Sequence, residues 1–205
     1  MRYLFLLITV TFTSFAFGQR YTKGENSLGN PILTDSASTL FIPILYNEAL
    51  LSSNKIAAWG GYYANLIVYN FNSDSYKKLF STDTYLQLVS LPATRHGFVT
   101  ANTNIIKLNR IFLFVKETDT NKSGRIDEND ASVLYTVTPT GENLQALTTG
   151  KDHVISVEVY GHAEFALVQF QRDINQDGNF NFKDTEYYYR KLDLKTLKWG
   201  KEIKI

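Results

Sequence analysis

Oxygen-bearing side chains recur at a fixed spacing in residues 173–184. Asp173, Asn175 and Asp177 stand at alternate positions, Gly178 follows directly, and Asp184 closes the segment. Side chains at alternate positions converge on one point only if the backbone curls tightly, and a glycine after the third of them permits that curl. This is the spacing with which a short loop surrounds a hard divalent cation with oxygen atoms.

The same spacing occurs a second time in residues 119–130. We call this segment loop 1, and residues 173–184 loop 2. The predicted ligands of loop 1 are Asp119, Asn121, Ser123, the carbonyl of Arg125, Asp127 and Asp130, and those of loop 2 are Asp173, Asn175, Asp177, the carbonyl of Asn179, Asn181 (directly or through water) and Asp184. Ile126 and Phe180 hold equivalent apolar positions and are expected to anchor the loops. The expected ion is Ca²⁺, which takes roughly six to eight oxygen ligands in irregular geometry.

These two segments resemble the calcium loops of the EF-hand family, and more closely the dockerin-type loop, which also ends in Asp. The resemblance implies calcium-binding chemistry and covers only these two 12-residue segments. Family loops lie between helices or lead into one. Loop 2 is instead flanked by residues 165–170 and 187–189, which are rich in aromatic and β-branched residues that favour strands. The cohesin-binding role of dockerins therefore does not transfer, although helices after Asp130 and Asp184 would favour a dockerin-like adaptor.

Charge is concentrated at the two loops. Nine of the 20 acidic residues lie in residues 117–130 and 172–186. Carboxylates that converge without a cation repel one another, so an ion is expected to help these loops fold. An Asp at the last position predicts modest affinity, about 10⁻⁴–10⁻³ M. Asp, Asn and Gly are also ordinary turn formers, and residues 121–123 also match a glycosylation sequon.

The amino-terminal segment, residues 1–18, has the features of a secretory signal peptide. Arg2 precedes an apolar stretch from Leu4 to Val10, and residues 16–18 form a small-x-small cleavage site that leaves Gln19 first. The apolar stretch is short for a membrane anchor. With no cysteine in the chain, a lipid-attached cysteine and disulfides are excluded. We predict a secreted or periplasmic protein without stable membrane insertion.

Composition points to a β-rich domain that does not bind nucleic acid. The chain has 13 Tyr and 14 Phe, and its formal net charge is +1. Aromatic residues favour strands, whereas nucleic-acid binding requires a basic surface. We expect an extended lead-in over residues 19–37 and a single β-rich domain over residues 38–205.

Repeated meanders are the expected architecture. Each loop follows an apolar strand, residues 111–115 or 165–170, and precedes a hairpin, residues 133–147 or 187–199. A further strand is expected before each unit, at residues 105–108 or 154–160. A similar unit without the acidic loop is expected near residues 55–81, after a strand at 40–46 whose Pro43 suggests a sheet edge or a bulge. The meanders resemble blades of a TolB-type β-propeller, and a stack of sheets or a β-sandwich is the alternative.

Catalytic signatures are scarce. His153 and His162 have no recognised zinc spacing and, with His96, are expected to be ordinary surface or loop histidines. The sequence has neither a G-x-S-x-G elbow nor a cysteine nucleophile. We therefore predict a non-enzymatic, secreted calcium-binding protein that presents a surface to a partner protein or glycan. Core packing is the expected role of Tyr187–Tyr189, and an exposed aromatic strip is the alternative. The alternative is an extracellular hydrolase with structural calcium.

Overall fold

The computed structural model describes residues 26–33, 38–46, 63–88, 110–124 and 126–204. The signal peptide, the strand expected at residues 105–108, His96 and Arg125 lie outside these ranges. The described elements are β1 (Ser27–Leu28), β2 (Ile32–Leu33), β3 (Thr39–Leu45), β4 (Asn65–Asn70), β5 (Ser75–Lys78), β6 (Tyr85–Leu88), β7 (Ile111–Lys116), β8 (Val133–Val137), β9 (Gln145–Ala146), β10 (Asp152–Tyr160), a 3₁₀ helix (Gly161–Ala163), β11 (Phe165–Arg172), β12 (Tyr187–Asp193) and β13 (Trp199–Lys204).

The strands form three antiparallel sheets that follow one another in the chain. In the first sheet β1 and β2 pair with the same side of β3, followed by β4 and β5. The second sheet is the meander β6 to β9, and the third is the meander β10 to β13. The prediction of an all-β fold built from repeated antiparallel meanders is confirmed. The middle sheet begins with β6, a short strand that the sequence analysis did not identify.

The lead-in contributes to the first sheet. The paired positions of β1 and β2 are separated by residues 29–31, whereas only Ile42 and Pro43 separate their partners on β3. This extra residue is a bulge. The N–H of Gly29 donates to the carbonyl of Pro43 at 2.8 Å, so Pro43 faces the bulge, where its missing N–H breaks no regular ladder. Of the two features expected at Pro43, a sheet edge or a bulge, the structure has the bulge.

The middle sheet is covered on both faces. Along β7, Ile111 and Leu113 pack with Phe41 and Leu66 of the first sheet. The intervening Phe112 points to the opposite face and packs against the third sheet. A continuous apolar run such as Ile-Phe-Leu-Phe-Val suits a strand buried on both sides. Three sheets stacked in a row do not fit a two-layer sandwich, and successive propeller blades pack in this way.

Loops 1 and 2 occupy equivalent places in their sheets. Loop 1 joins β7 to β8 and loop 2 joins β11 to β12, so each connects the second strand of a meander to the third. Both loops run into strands and not into helices. Because the two sheets share one topology and pack face to face, these connections emerge side by side.

Candidate metal centre

The first residue of each loop binds the backbone at the glycine. One carboxylate oxygen of the first Asp accepts the N–H of the fifth loop residue, and the other accepts the N–H of the glycine at the sixth. The donor–acceptor distances are 3.0 and 2.8 Å from Ser123 and Gly124 to Asp119, and 3.2 and 2.8 Å from Asp177 and Gly178 to Asp173. Both glycines have positive φ, 90° for Gly124 and 71° for Gly178. The curl that the sequence predicted is present in both loops.

The last residue of each loop closes it. Asp130 and Asp184 are 0% and 1% exposed. One oxygen of each carboxylate accepts the N–H of the second loop residue, and the other accepts that of the ninth. These distances are 2.7 Å from Thr120 and 2.6 Å from Asp127 to Asp130, and 3.2 Å from Ile174 and 3.3 Å from Asn181 to Asp184. At their described residues the two loops therefore make the same hydrogen bonds from backbone to side chain, although only part of their sequence is the same.

Several predicted ligands lie together. The N–H of Asp177 donates to side-chain oxygens of both Asp173 and Asn175, at 3.2 Å each, so these two oxygens converge. The N–H of Ser123 does the same for Asp119 and Asn121. In loop 2, the amide of Asn175 also donates to the Asp177 carboxylate at 2.8 Å, and that of Asn181 to the Asn179 carbonyl at 3.0 Å.

Carboxylates alone do not make a site in either loop. Across the described ranges, no three His, Cys, Asp or Glu side chains come close enough together to hold a metal ion. The position-12 carboxylates are instead engaged with backbone N–H groups. An ion at either loop would therefore depend on amide, hydroxyl and backbone oxygens as well, which Ca²⁺ accepts.

The sequence pattern missed one candidate ligand oxygen. The side-chain oxygen of Asn179 is buried and has no hydrogen-bond partner. A buried oxygen without a donor is costly unless a cation or water satisfies it. The sequence assigned the backbone carbonyl of Asn179 as a ligand, and no spacing rule indicates its side chain. The candidate ligand atoms of loop 2 therefore fit a hard cation better than those of loop 1.

The two loops are in direct contact. The hydroxyl of Thr120 lies 2.7 Å from the carbonyl of Gly178 and 3.1 Å from the Asp130 carboxylate. The N–H of Phe180 donates to the carbonyl of Asn129 at 2.8 Å. Thr120 occupies a variable position of the loop pattern, so sequence analysis gave no reason to single it out. These contacts join the second sheet to the third at their loop edges.

Replacing Thr120 with valine should lower the free energy of unfolding by about 2 kcal/mol, because the Gly178 carbonyl loses a donor and the N–H of Ala131 loses an acceptor. The shape of the side chain is retained, so packing changes little. Thr120→Ser keeps the hydroxyl and should lose less than half as much. Urea denaturation of both variants measures the difference, and equal losses would show that the hydroxyl does not join the loops.

A buried side chain supports each loop from the strand before it. Lys116 is 4% exposed, and its ammonium donates to the carbonyls of Glu128, at 3.0 Å, and of Asp130. Burial lowers the pKa of Lys116 to about 8, against the attraction of nearby carboxylates. Under loop 2 the amide of Gln171 donates to the carbonyls of Asn181 and Asp184, at 2.8 Å each.

His153 contacts the chain just after loop 1 and also a residue of loop 2. Its Nδ1 accepts the N–H of Ser132 at 3.0 Å, and its ring stacks on Phe180 with 5.4 Å between centroids. Burial, together with the charge of Lys116, lowers the pKa of His153 to about 4, so the ring is neutral near pH 7. The prediction of an ordinary surface or loop histidine was therefore wrong for His153, which lies in β10. Phe180 is 6% exposed and anchors loop 2 as expected.

A charged groove of about 1080 Å³ runs beside the loops. Asp119, Asp173 and Lys122 line it from the loops, and Arg172 lines it from β11. Two aromatic rings are exposed in loop 2 and at the start of β12. Phe182 is 85% and Tyr187 is 45% exposed. The next residue, Tyr188, is buried and stacks on Phe170, as strand alternation predicts.

Comparisons with known proteins show little. No family model matches the chain, and no curated protein matches it. Among solved structures, an oligogalacturonate lyase in complex with manganese aligns with 88% of this chain at 8% sequence identity and a TM-score of 0.48. The alignment covers 43% of that protein, so this chain spans less than half of its length. Similarity at this level supports no inference about activity, substrate or metal. In the described part of the chain, no helix is long and apolar enough to cross a bilayer.

Proposed function

We propose that this chain is an exported, non-catalytic β-sheet protein whose loops 1 and 2 each bind Ca²⁺ structurally. One observation carries the proposal: in two loops distant in the sequence, equivalent backbone N–H groups hold the first, third and twelfth side chains. Ordinary turns do not require that repetition. The buried, unpartnered oxygen of Asn179 adds support at loop 2.

The ions would stabilise the contact between the second and third sheets. The carboxylates of each loop repel one another, and a divalent ion removes that repulsion. Because Thr120 of loop 1 contacts Gly178 of loop 2, ordering either loop also orders the sheet edge beside it. Structural calcium of this kind suits an exported protein without cysteine, which cannot use disulfides.

Calcium titration is the direct test. With dissociation constants of about 10⁻⁴–10⁻³ M, about 10 mM Ca²⁺ should stabilise the fold by roughly 1.4 to 2.7 kcal/mol per occupied site. That corresponds to a rise in melting temperature of about 3 to 10 °C per site. Isothermal titration should show binding heat with Ca²⁺ and a weaker response to Mg²⁺, which demands stricter octahedral geometry.

Paired variants assign the effect to the loops. Asp173→Ala combined with Asp177→Ala should abolish the part of the thermal shift that belongs to loop 2. The control removes two exposed carboxylates elsewhere, by Glu142→Ala with Glu158→Ala, and should leave the shift unchanged. No heat and no change in melting temperature at millimolar Ca²⁺ would refute calcium binding.

The surface offered to a partner protein or glycan is proposed to comprise the charged groove and the exposed rings of loop 2 and β12. Exposed rings such as Phe182 and Tyr187 can stack on sugars or pack against a partner. Screening against immobilised glycans in Ca²⁺ and in EDTA tests this part. Binding that Phe182→Ala abolishes supports the assignment, and binding that survives it places the surface elsewhere.

A further inference from the structure

Lys116 and Gln171 have equivalent structural roles beneath loop 1 and loop 2. Each lies at the end of the second strand of its meander, and each donates to the backbone carbonyl of the last loop residue, Asp130 or Asp184. They differ in charge, because Lys116 carries an ammonium group and Gln171 a neutral amide. The equivalence is not visible in the sequence, since Lys116 stands three residues before its loop and Gln171 two.

That difference changes the charge beneath the loops. Each loop has three aspartates, namely Asp119, Asp127 and Asp130 in loop 1 and Asp173, Asp177 and Asp184 in loop 2. The ammonium of Lys116 is buried and contacts the carbonyl of Asp130, and Lys116 lines the same cavity as Asp127, so water screens it poorly from an ion in the loop. Gln171 brings no charge to the corresponding place.

Where the structure describes them, other cations near the loops do not reverse this asymmetry. Lys122 and Lys183 are exposed, where solvent and salt screen them. Arg172 lies near loop 2, but its guanidinium pairs with Glu202 at 3.0 Å and Glu186 at 3.4 Å. Among the described residues, Lys116 is therefore the buried cation that distinguishes the environment of loop 1 from that of loop 2.

We propose that Lys116 sets the order of filling: its charge makes loop 1 the weaker calcium site, so loop 2 fills first. The inference rests on the proposed calcium binding and adds a residue that grades the affinity of the two sites. The ammonium also has a role when no ion is bound. It neutralises part of the carboxylate charge and holds the end of loop 1 through two backbone carbonyls.

Variants with a single active loop test the proposal by isothermal titration with Ca²⁺. Asp173→Ala with Asp177→Ala leaves loop 1, and adding Lys116→Gln should tighten its dissociation constant about tenfold. Asp119→Ala leaves loop 2, and adding Gln171→Lys should weaken its dissociation constant about tenfold. Lys122→Gln, which removes an exposed charge from loop 1, is the matched control and should change affinity less than twofold.

The outcomes separate the two proposals. If the wild-type chain binds no Ca²⁺, the proposed function is wrong. If it binds and both exchanges leave the constants unchanged, the function stands and the role of Lys116 is overturned. Circular dichroism checks the fold of each variant, and if Lys116→Gln does not fold, the Gln171→Lys result decides alone.

Discussion

Replacing Gly178 with alanine should lower the free energy of unfolding by about 3 kcal/mol or more. Two causes act together. The residue has a φ of 71°, where a side chain is strained. In addition, a Cβ on Gly178 would lie far inside van der Waals contact with the backbone carbonyl oxygen of Thr120. Backbone cannot move aside as a flexible side chain can, so the two loops would have to separate.

Gly124 is the matched control, since it holds the same position in loop 1. Its φ is 90°, but a Cβ there would have no neighbour within 4 Å. Gly124→Ala should therefore cost only the backbone strain, about 1 kcal/mol. Urea denaturation monitored by tryptophan fluorescence measures both. Equal losses in the two variants would mean that loop 2 does not lie against loop 1.

These two glycines show which features can be predicted from the sequence and which cannot. The spacing of oxygen donors predicted a curl at both glycines, because that requirement is local to 12 residues. The close approach of Gly178 to Thr120 depends on how two sheets stack, and no local pattern encodes it. The all-β class and the main strands were predictable for the same reason, since alternation and aromatic content act over a few residues.

The features that the sequence analysis missed are short strands and contacts between residues far apart in the chain. The strands β1, β2 and β6 contain two to four residues each, too few for alternation to stand out. Lys116 is the last residue of an apolar strand, and from the sequence it looks like an exposed polar residue at the end of that strand. Its burial becomes evident only once loop 1 folds back over it. His153 was misjudged likewise, because its partners Ser132 and Phe180 come from other elements.

Asp130→Ala should be about as damaging as Gly178→Ala, with an expected loss of about 4 kcal/mol. Asp130 is fully buried, and its carboxylate accepts the N–H groups of Thr120, Asn121 and Asp127 at 2.7, 3.3 and 2.6 Å. Alanine leaves these donors without an acceptor. It also removes the negative charge beside the buried ammonium of Lys116, and an uncompensated buried charge is strongly destabilising.

Glu128→Ala is the control, because Glu128 belongs to the same loop but its side chain is exposed. Lys116 uses the backbone carbonyl of Glu128, which the substitution keeps. The expected change is within about 0.5 kcal/mol. Asp130→Asn should fall between the two, since it retains one acceptor oxygen and loses the charge. Thermal and urea unfolding in EDTA isolate this structural role from calcium binding. If the free energy of unfolding in EDTA falls no further for Asp130→Ala than for Glu128→Ala, the Asp130 carboxylate does not close loop 1. Its remaining role would then be to bind an ion.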